Sequence, residues 1–466
     1  MKTKNIVMII ADQLTWRALP VYGDTYVKTP NIDRIAKNAA VFDNAYTPCP
    51  LCQPARASFW TGKYMHETGV LSNGRNWPVK NIPENVPTIG SVFTEAGWET
   101  AHFGKTHDAG GLRGFNPAPV NRAPVTQEHE AWPYDYDTEN DRDCTGKAVS
   151  FLLGRKDKRP LIMAVDLQNP HDICNWVGRN QNVHTDVPVP GELPELPPNF
   201  EFDDIANRPI GVAYICCSHN RQAQAAGWTP DNFRHYLAAY YHYIEVLDRE
   251  VGLILDAAEK TLPQEETLYV FTADHGDSMA SRGRTTKQVD LYEEVTHIPF
   301  MLSGSGCKPG RIGDNVSTLD LTPTLCAFAG IEAPVTRGVD LTPEAGGGSG
   351  EAAVREYVVS QWHTEWGFTV SPGRMLRCGD YKYMKYIEDG AEELYDLSAD
   401  PWERKNFVYD PQYSAVLDKM RKLFERYIIE SGDDFYTLTA LADKRWRSHA
   451  LGYQNHTGPA APSWKG

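Results

Sequence analysis

Ile6-Val7-Met8-Ile9-Ile10 is an unbroken apolar run that leads through Ala11 into Asp12 and Gln13. A strand with one solvated face alternates polar and apolar residues. A strand without alternation is buried on both faces, as in a parallel sheet covered by helices. The polar pair then falls at the strand's carboxyl end, where open α/β sheets bind ligands. Moving outward, Thr29-Pro30 opens a helix with proline at its first position, and Ile32, Ile35, Ala36 and Ala39 give it an apolar stripe. Leu161–Val165, Leu268–Thr272 and Pro299–Leu302 read as further buried strands. A long amphipathic helix over Asn232–Lys260 repeats Leu237, Tyr241, Ile244, Leu247, Val251 and Leu255 at intervals of three and four. Strands alternating with helices predict an α/β fold, with a large, mixed but mostly parallel sheet flanked by helices.

A chain of 466 residues is long for one core and fits a large domain plus a smaller one. The glycine-rich stretch Glu344–Gly350 is the clearest linker, so the expected domains are 1–345 and 346–466. Beyond it, short strands at Tyr357–Ser360 and Tyr381–Tyr386 and a helix at Ser414–Glu430 predict a small α+β domain. Residues 108–145 and 173–230, rich in Pro, Asn, Gly and charge, read as long irregular insertions. The net charge of −15 repels nucleic acid and anionic membranes as partners, and no apolar run is long enough to cross a bilayer. The apolar part of the N-terminus is short and lacks a small-residue cleavage site. The expected location is the cytoplasm for the chain as given, or the periplasm if a signal segment has been removed. Nine cysteines at irregular spacing form no disulfide or zinc framework.

The chemistry gathers at Cys52-Gln53-Pro54-Ala55-Arg56-Ala57-Ser58-Phe59-Trp60-Thr61-Gly62. Pro54 starts a helix and leaves Cys52 just before its N-terminus, where backbone N–H groups and partial positive charge collect. Arg56, one turn on, points back to the same spot, and together they suit an anion. Asp12 and Asp274, each following a buried strand, suggest a shared cation.

Cys-x-Pro-x-Arg followed by Thr-Gly resembles the sulfatase signature. In that family the cysteine is oxidised to formylglycine, whose hydrate is the nucleophile. A geminal diol can take SO3 and expel sulfate by reforming the aldehyde. The resemblance implies the alkaline-phosphatase-like fold and a maturation partner, a formylglycine-generating or anaerobic sulfatase-maturating enzyme. It also implies one divalent cation. Sulfatases commonly supply three Asp and one Asn or Gln; this chain offers Asp12, Gln13, Asp274 and His275 beside Cys52. Calcium is the first expectation for the ion, with manganese or magnesium next.

Gly104-Lys105-Thr106-His107 resembles the family's Gly-Lys-x-His element, Asn169-Pro170-His171 its Pro-His element, and Lys287 its following lysine. The implied roles are catalytic. Cys52 is the nucleophile precursor, Arg56 orients it, Lys105 and Lys287 hold sulfate oxygens, and His171 and His107 serve as general acid and base, in either assignment. Asn73 is placed to assist at the diol or the sulfate. Leu394-Tyr395-Asp396-Leu397, Asp400-Pro401 and Asn406 resemble the family's C-terminal domain. The expected substrate is a small sulfated carbohydrate, such as a glycosaminoglycan-derived disaccharide with a sulfated uronic acid or hexosamine. Arg75, His102, His363 and Arg374 are candidate contacts to it, chosen for charge and for lying near the motifs. Phosphonate monoester or phosphodiester hydrolases of the same superfamily are the main rival, because the Asp-Gln and Asp-His pairs resemble that branch. Lys105 and His107 match sulfatases better. A non-catalytic sulfated-sugar binder and a two-zinc phosphatase are more distant rivals.

Overall fold

The computed structural model describes residues 3–73, 81–119, 138–180, 192–201, 208–209, 212, 224–287, 291–346, 355–363, 372–387 and 390–437. The first apolar run forms β1 (Asn5–Asp12), buried along its whole length. Around it lies an eight-stranded sheet. Its other strands are β2 (Ala39–Tyr46), β3 (Glu99–Gly104), β4 (Asn116–Pro119), β5 (Leu161–Pro170), β6 (Thr267–Ala273), β7 (Phe300–Gly304) and β8 (Gly310–Ser317). The spatial order is β4-β3-β5-β1-β6-β7-β2-β8. β7 is antiparallel to both neighbours and every other pairing is parallel. The sheet is therefore mixed but mostly parallel, as the apolar runs predict.

Parallel register lines up the carboxyl ends of the central strands. Ile10 of β1 and Gly104 of β3 both pair with Asp166 of β5, and Ala11 pairs with Ala273 of β6. Asp12, Lys105, Asp166 and Asp274 consequently share one edge of the sheet. The helix Pro230–Thr261 covers one face and is capped by Thr229, whose side chain accepts the Asn232 N–H. From within that helix, Asp248 accepts the N–H groups of Asn31 at 3.0 Å and Ile32 at 2.8 Å. It thereby caps the helix Pro30–Ala36 from outside.

A second, antiparallel sheet follows, in the order β12-β11-β10-β9, with β9 (Val358–Trp362), β10 (Gly373–Cys378), β11 (Tyr381–Tyr386) and β12 (Glu392–Asp396). The helix Ser414–Ser431 packs on it through Leu417, Met420, Leu423, Phe424 and Tyr427. Two expectations change. Part of the 108–145 insertion is helix, Thr138–Gly154, because Cys144, Ala148 and Leu152 make a buried stripe that begins behind a polar first turn. The 173–230 insertion holds a second helix, Ile173–Arg179. Among the described residues no helix is long and apolar enough to span a membrane, and all their cysteines are free.

Gly104 closes β3 with φ of 101°, and a Cβ there would sit 2.0 Å from the Asp166 carbonyl oxygen. We expect Gly104→Ala to lower stability by about 2 kcal/mol or more, read by denaturant unfolding. It should also displace Lys105, the next residue.

Candidate active site

Cys52 opens the helix Cys52–Thr61, which ends at Gly62 in the left-handed conformation. Leu51 provides no side-chain cap. Instead the Asn73 side-chain oxygen accepts the Gln53 N–H at 3.0 Å. Asn73 is thus placed one residue from Cys52 and gives the helix start its missing acceptor. Burial pushes the Cys52 thiol up to about 11 against the pull of Lys287 and Arg56, so the unmodified side chain is a weak nucleophile at neutral pH.

Cys52 Sγ lies 3.1 Å from His275 Nε2 and 3.8 Å from Asp12 Oδ1. Asp12, Cys52, Asp274 and His275 bring one ligand atom each to within 4.8 Å of one another, all buried. His275 Nδ1 is 2.9 Å from the Gly276 carbonyl oxygen. A carbonyl only accepts, so Nδ1 carries the proton and Nε2 turns its lone pair toward the two carboxylates. Desolvation, aided by Lys287 and Lys105, lowers the His275 pKa to about 3, so the ring is neutral. Burial pushes Asp274 up, but His275, Arg56, Lys105 and the Gln13 N–H together hold it below the usual carboxylate range. Two carboxylates and one imidazole lone pair converging on a buried point fit a divalent cation.

The basic residues close around this group. Arg56 is fully buried, with Nε 3.0 Å from Asp274 Oδ2 and Nη1 2.6 Å from Asp166 Oδ1. Burial lowers its pKa, the two carboxylates overcome that, and the net shift is upward. Lys105 Nζ pairs with Asp12 Oδ2. Lys287 Nζ is 2.8 Å from Gln13 Oε1.

A family model described as Sulfatase matches residues 4–331. The chain belongs to the sulfatase family. A model for the C-terminal part of N-sulphoglucosamine sulphohydrolase matches residues 286–430 of this sulfatase. A Delta 4,5-hexuronate-2-O-sulfatase from Bacteroides thetaiotaomicron is 44% identical over 462 residues, covering 98% of this chain and 95% of that protein. A solved 2-O GAG sulfatase superposes with a TM-score of 0.86 at 42% identity, covering 94% of each chain. The phosphonate monoester hydrolase of Agrobacterium radiobacter shares the fold, with a TM-score of 0.74 at 20% identity over 92% of this chain and 96% of that one.

Of the expected residues, Asp12, Cys52, Arg56, Lys105, Asp274, His275 and Lys287 are linked by these contacts. Gln13, expected as a cation ligand, sits at φ 68°. Its amide nitrogen donates to Asp277 Oδ2 at 2.7 Å while its oxygen takes Lys287, so in this arrangement it positions the lysine. His107 lies in the irregular segment after β3 and His171 on the turn after β5, each partly exposed. Arg75 lies outside the described residues. His102, expected to touch substrate, is 1% exposed and bound to Asp166 at 2.7 Å. Arg374 is equally buried, with its donors on Asp433 and on the Trp362 and Gly373 carbonyls. His363 is buried at the end of β9. Distance along the chain from a motif does not report which way a side chain faces.

The sequence reading missed Asp166 and Asp141. Asp166 ends an apolar run just as Asp12 and Asp274 do, so the same strand-end rule could have found it. Asp141 has no such signal. It accepts from Gln168 N at 2.6 Å, Asn169 N at 2.9 Å and Asn169 Nδ2 at 2.9 Å. Burial pushes its carboxyl up to about 6 despite these donors. The bonds fix the turn that carries His171. We expect Asp141→Ala to lower kcat on the order of tenfold or more through misplacement of that turn, with formylglycine content unchanged by mass spectrometry.

Proposed function

We propose that this sulfatase hydrolyses the 2-O-sulfate of an unsaturated hexuronate at the end of a short glycosaminoglycan-derived saccharide. The observation that carries the reading is the 44% identity, across 98% of this chain, to a Delta 4,5-hexuronate-2-O-sulfatase. The net charge of −15 agrees with short substrates entering a local basic site and not with long polyanions.

Each residue has a task in this reading. Asp12, Asp274 and His275, with position 52, would hold the cation, and calcium suits the carboxylate oxygens best. When bound, it supplies charge that polarises the sulfate oxygens. Converted to formylglycine and hydrated, position 52 supplies a hydroxyl that takes the sulfuryl group from the ester oxygen. Loss of the proton from the second hydroxyl then expels sulfate by C–O cleavage, and water rehydrates the aldehyde that reforms. Cys52 is 1% exposed, so the maturation enzyme must act before the chain has folded. Arg56 orients position 52 from within the buried network. Lys105 and Lys287 bring ammonium groups to the sulfate oxygens as charge develops there. His171 and His107 stand on adjoining strand ends, one to protonate the departing sugar oxygen and the other to accept the remaining proton from position 52.

Two measurements test this. On a panel of sulfated disaccharides, we expect kcat/KM for an unsaturated 2-O-sulfated uronate to exceed that for 6-O- and N-sulfated hexosamines by on the order of a hundredfold. Faster cleavage of a phosphonate monoester would favour the hydrolase rival, whose Asp-His pair this site shares. Cys52→Ala should release no detectable sulfate while melting close to wild type, and near-wild-type release would overturn the nucleophile assignment.

A further inference from the structure

Strand β3 carries a histidine for which the reaction above has no use. His102 stands three residues before Lys105, with its ring 1% exposed and its edge toward Phe115, 6.3 Å between centroids. Its Nε2 is 2.7 Å from Asp166 Oδ2, and Asp166 Oδ1 is 2.6 Å from Arg56 Nη1. An ionised carboxylate only accepts, so His102 donates from Nε2. The other ring nitrogen, Nδ1, is buried without a hydrogen-bond partner, an arrangement that costs stability. The ring therefore sits where one bond is made at the expense of the other.

That bond has a mechanical consequence. A guanidinium held at one nitrogen can still swing about the contact, whereas one held at two by separate carboxylates is fixed in plane and direction. Asp274 holds Arg56 at Nε, 3.0 Å away, but it also belongs to the four-donor group around position 52. Asp166 is the second anchor, and His102 takes the oxygen that Arg56 does not use. Without that donor, Oδ2 of a buried carboxylate loses its partner, and the rotation that would find it another weakens the hold on Nη1.

We propose that His102 is a positioning residue that acts through Asp166 to fix Arg56 against position 52. The inference rests on the sulfatase reading only for its kinetic arm; its structural arm concerns Arg56 alone. The test uses the full-length converted enzyme, with formylglycine content matched by mass spectrometry, and compares His102→Leu, His102→Gln and His102→Asn. The glutamine amide can donate from about where Nε2 stands, whereas leucine cannot donate and asparagine is too short. We expect His102→Leu and His102→Asn to lose about tenfold or more in kcat with KM within about twofold. His102→Gln should recover most of the rate. Crystal structures should show Arg56 Nη1 displaced from Asp166 in the first two variants and in place in the third. A rise in KM at unchanged kcat would make His102 a substrate contact and overturn the proposal. So would equal loss in all three variants with Arg56 unmoved. If His102→Leu does not fold, the glutamine–asparagine comparison decides by itself. If the wild-type enzyme released sulfate from no ester, the sulfatase reading would fail, and the position of Arg56 in the variants would still decide this one.

Discussion

The site depends on a buried guanidinium held by carboxylates from different strands. A charge removed from water is tolerated only when it is paired and hydrogen-bonded. Arg56 meets that requirement through Asp274 after β6 and Asp166 within β5, with Asp12 of β1 4.0 Å away. These groups can meet only because parallel register sets the carboxyl ends of β5, β1 and β6 side by side. The same pairing fixes the start of the helix that carries Cys52, since Arg56 is one turn into it. One set of contacts thus holds position 52, the donor group and the sheet edge together.

The smaller sheet supports this arrangement from behind. Its Val358, Trp362, Met375 and Met384 share an apolar cluster with Tyr46, Leu51, Ala55 and Met65, the residues around the entry to the Cys52 helix. The Gln361 N–H donates to the Pro48 carbonyl at 2.8 Å. Lys382 joins Glu293 at 3.0 Å and Glu403 at 2.9 Å, and His297, bound to Glu293, stacks between Trp16 and Tyr46. Burial, reinforced by the nearby Glu293, pushes Glu403 up to about 7 even with Lys382 beside it. Losing one partner of such a network leaves an uncompensated buried charge, so its members are mutually dependent. The second sheet is thereby part of what fixes the loop before Cys52.

Local rules separate the functional residues into two kinds. Cys52, Arg56, Lys105 and Lys287, to which the proposed chemistry is assigned, stand in recognisable short patterns. Asp166, Asp141 and Asn73 work by accepting hydrogen bonds from other groups, and their partners are 110, 27 and 28, and 20 residues away in sequence. Asp166 could still be read from its place after an apolar run and Asn73 from its place after the nucleophile segment, but no pattern of neighbours marks Asp141. His102 shows the opposite case: a titratable residue close to a motif reads as a substrate contact, whereas it lies on a strand buried from Thr100 to Gly104 and its ring is bound to Asp166.

The sequence by itself determined the strands β1, β5, β6 and β7, the long helix, β9, β11 and the final helix of the C-terminal part, and the nucleophile segment. These follow from periodicity, capping and residue chemistry within a few turns of chain. Only the tertiary structure decided that Gln13 faces Lys287, that His102 and Arg374 are buried on carboxylates, and that residues from 138 onward are helical in a stretch that reads as irregular. Each of those depends on which elements pack together, and packing is set by contacts between residues far apart in the chain, which local pattern does not encode.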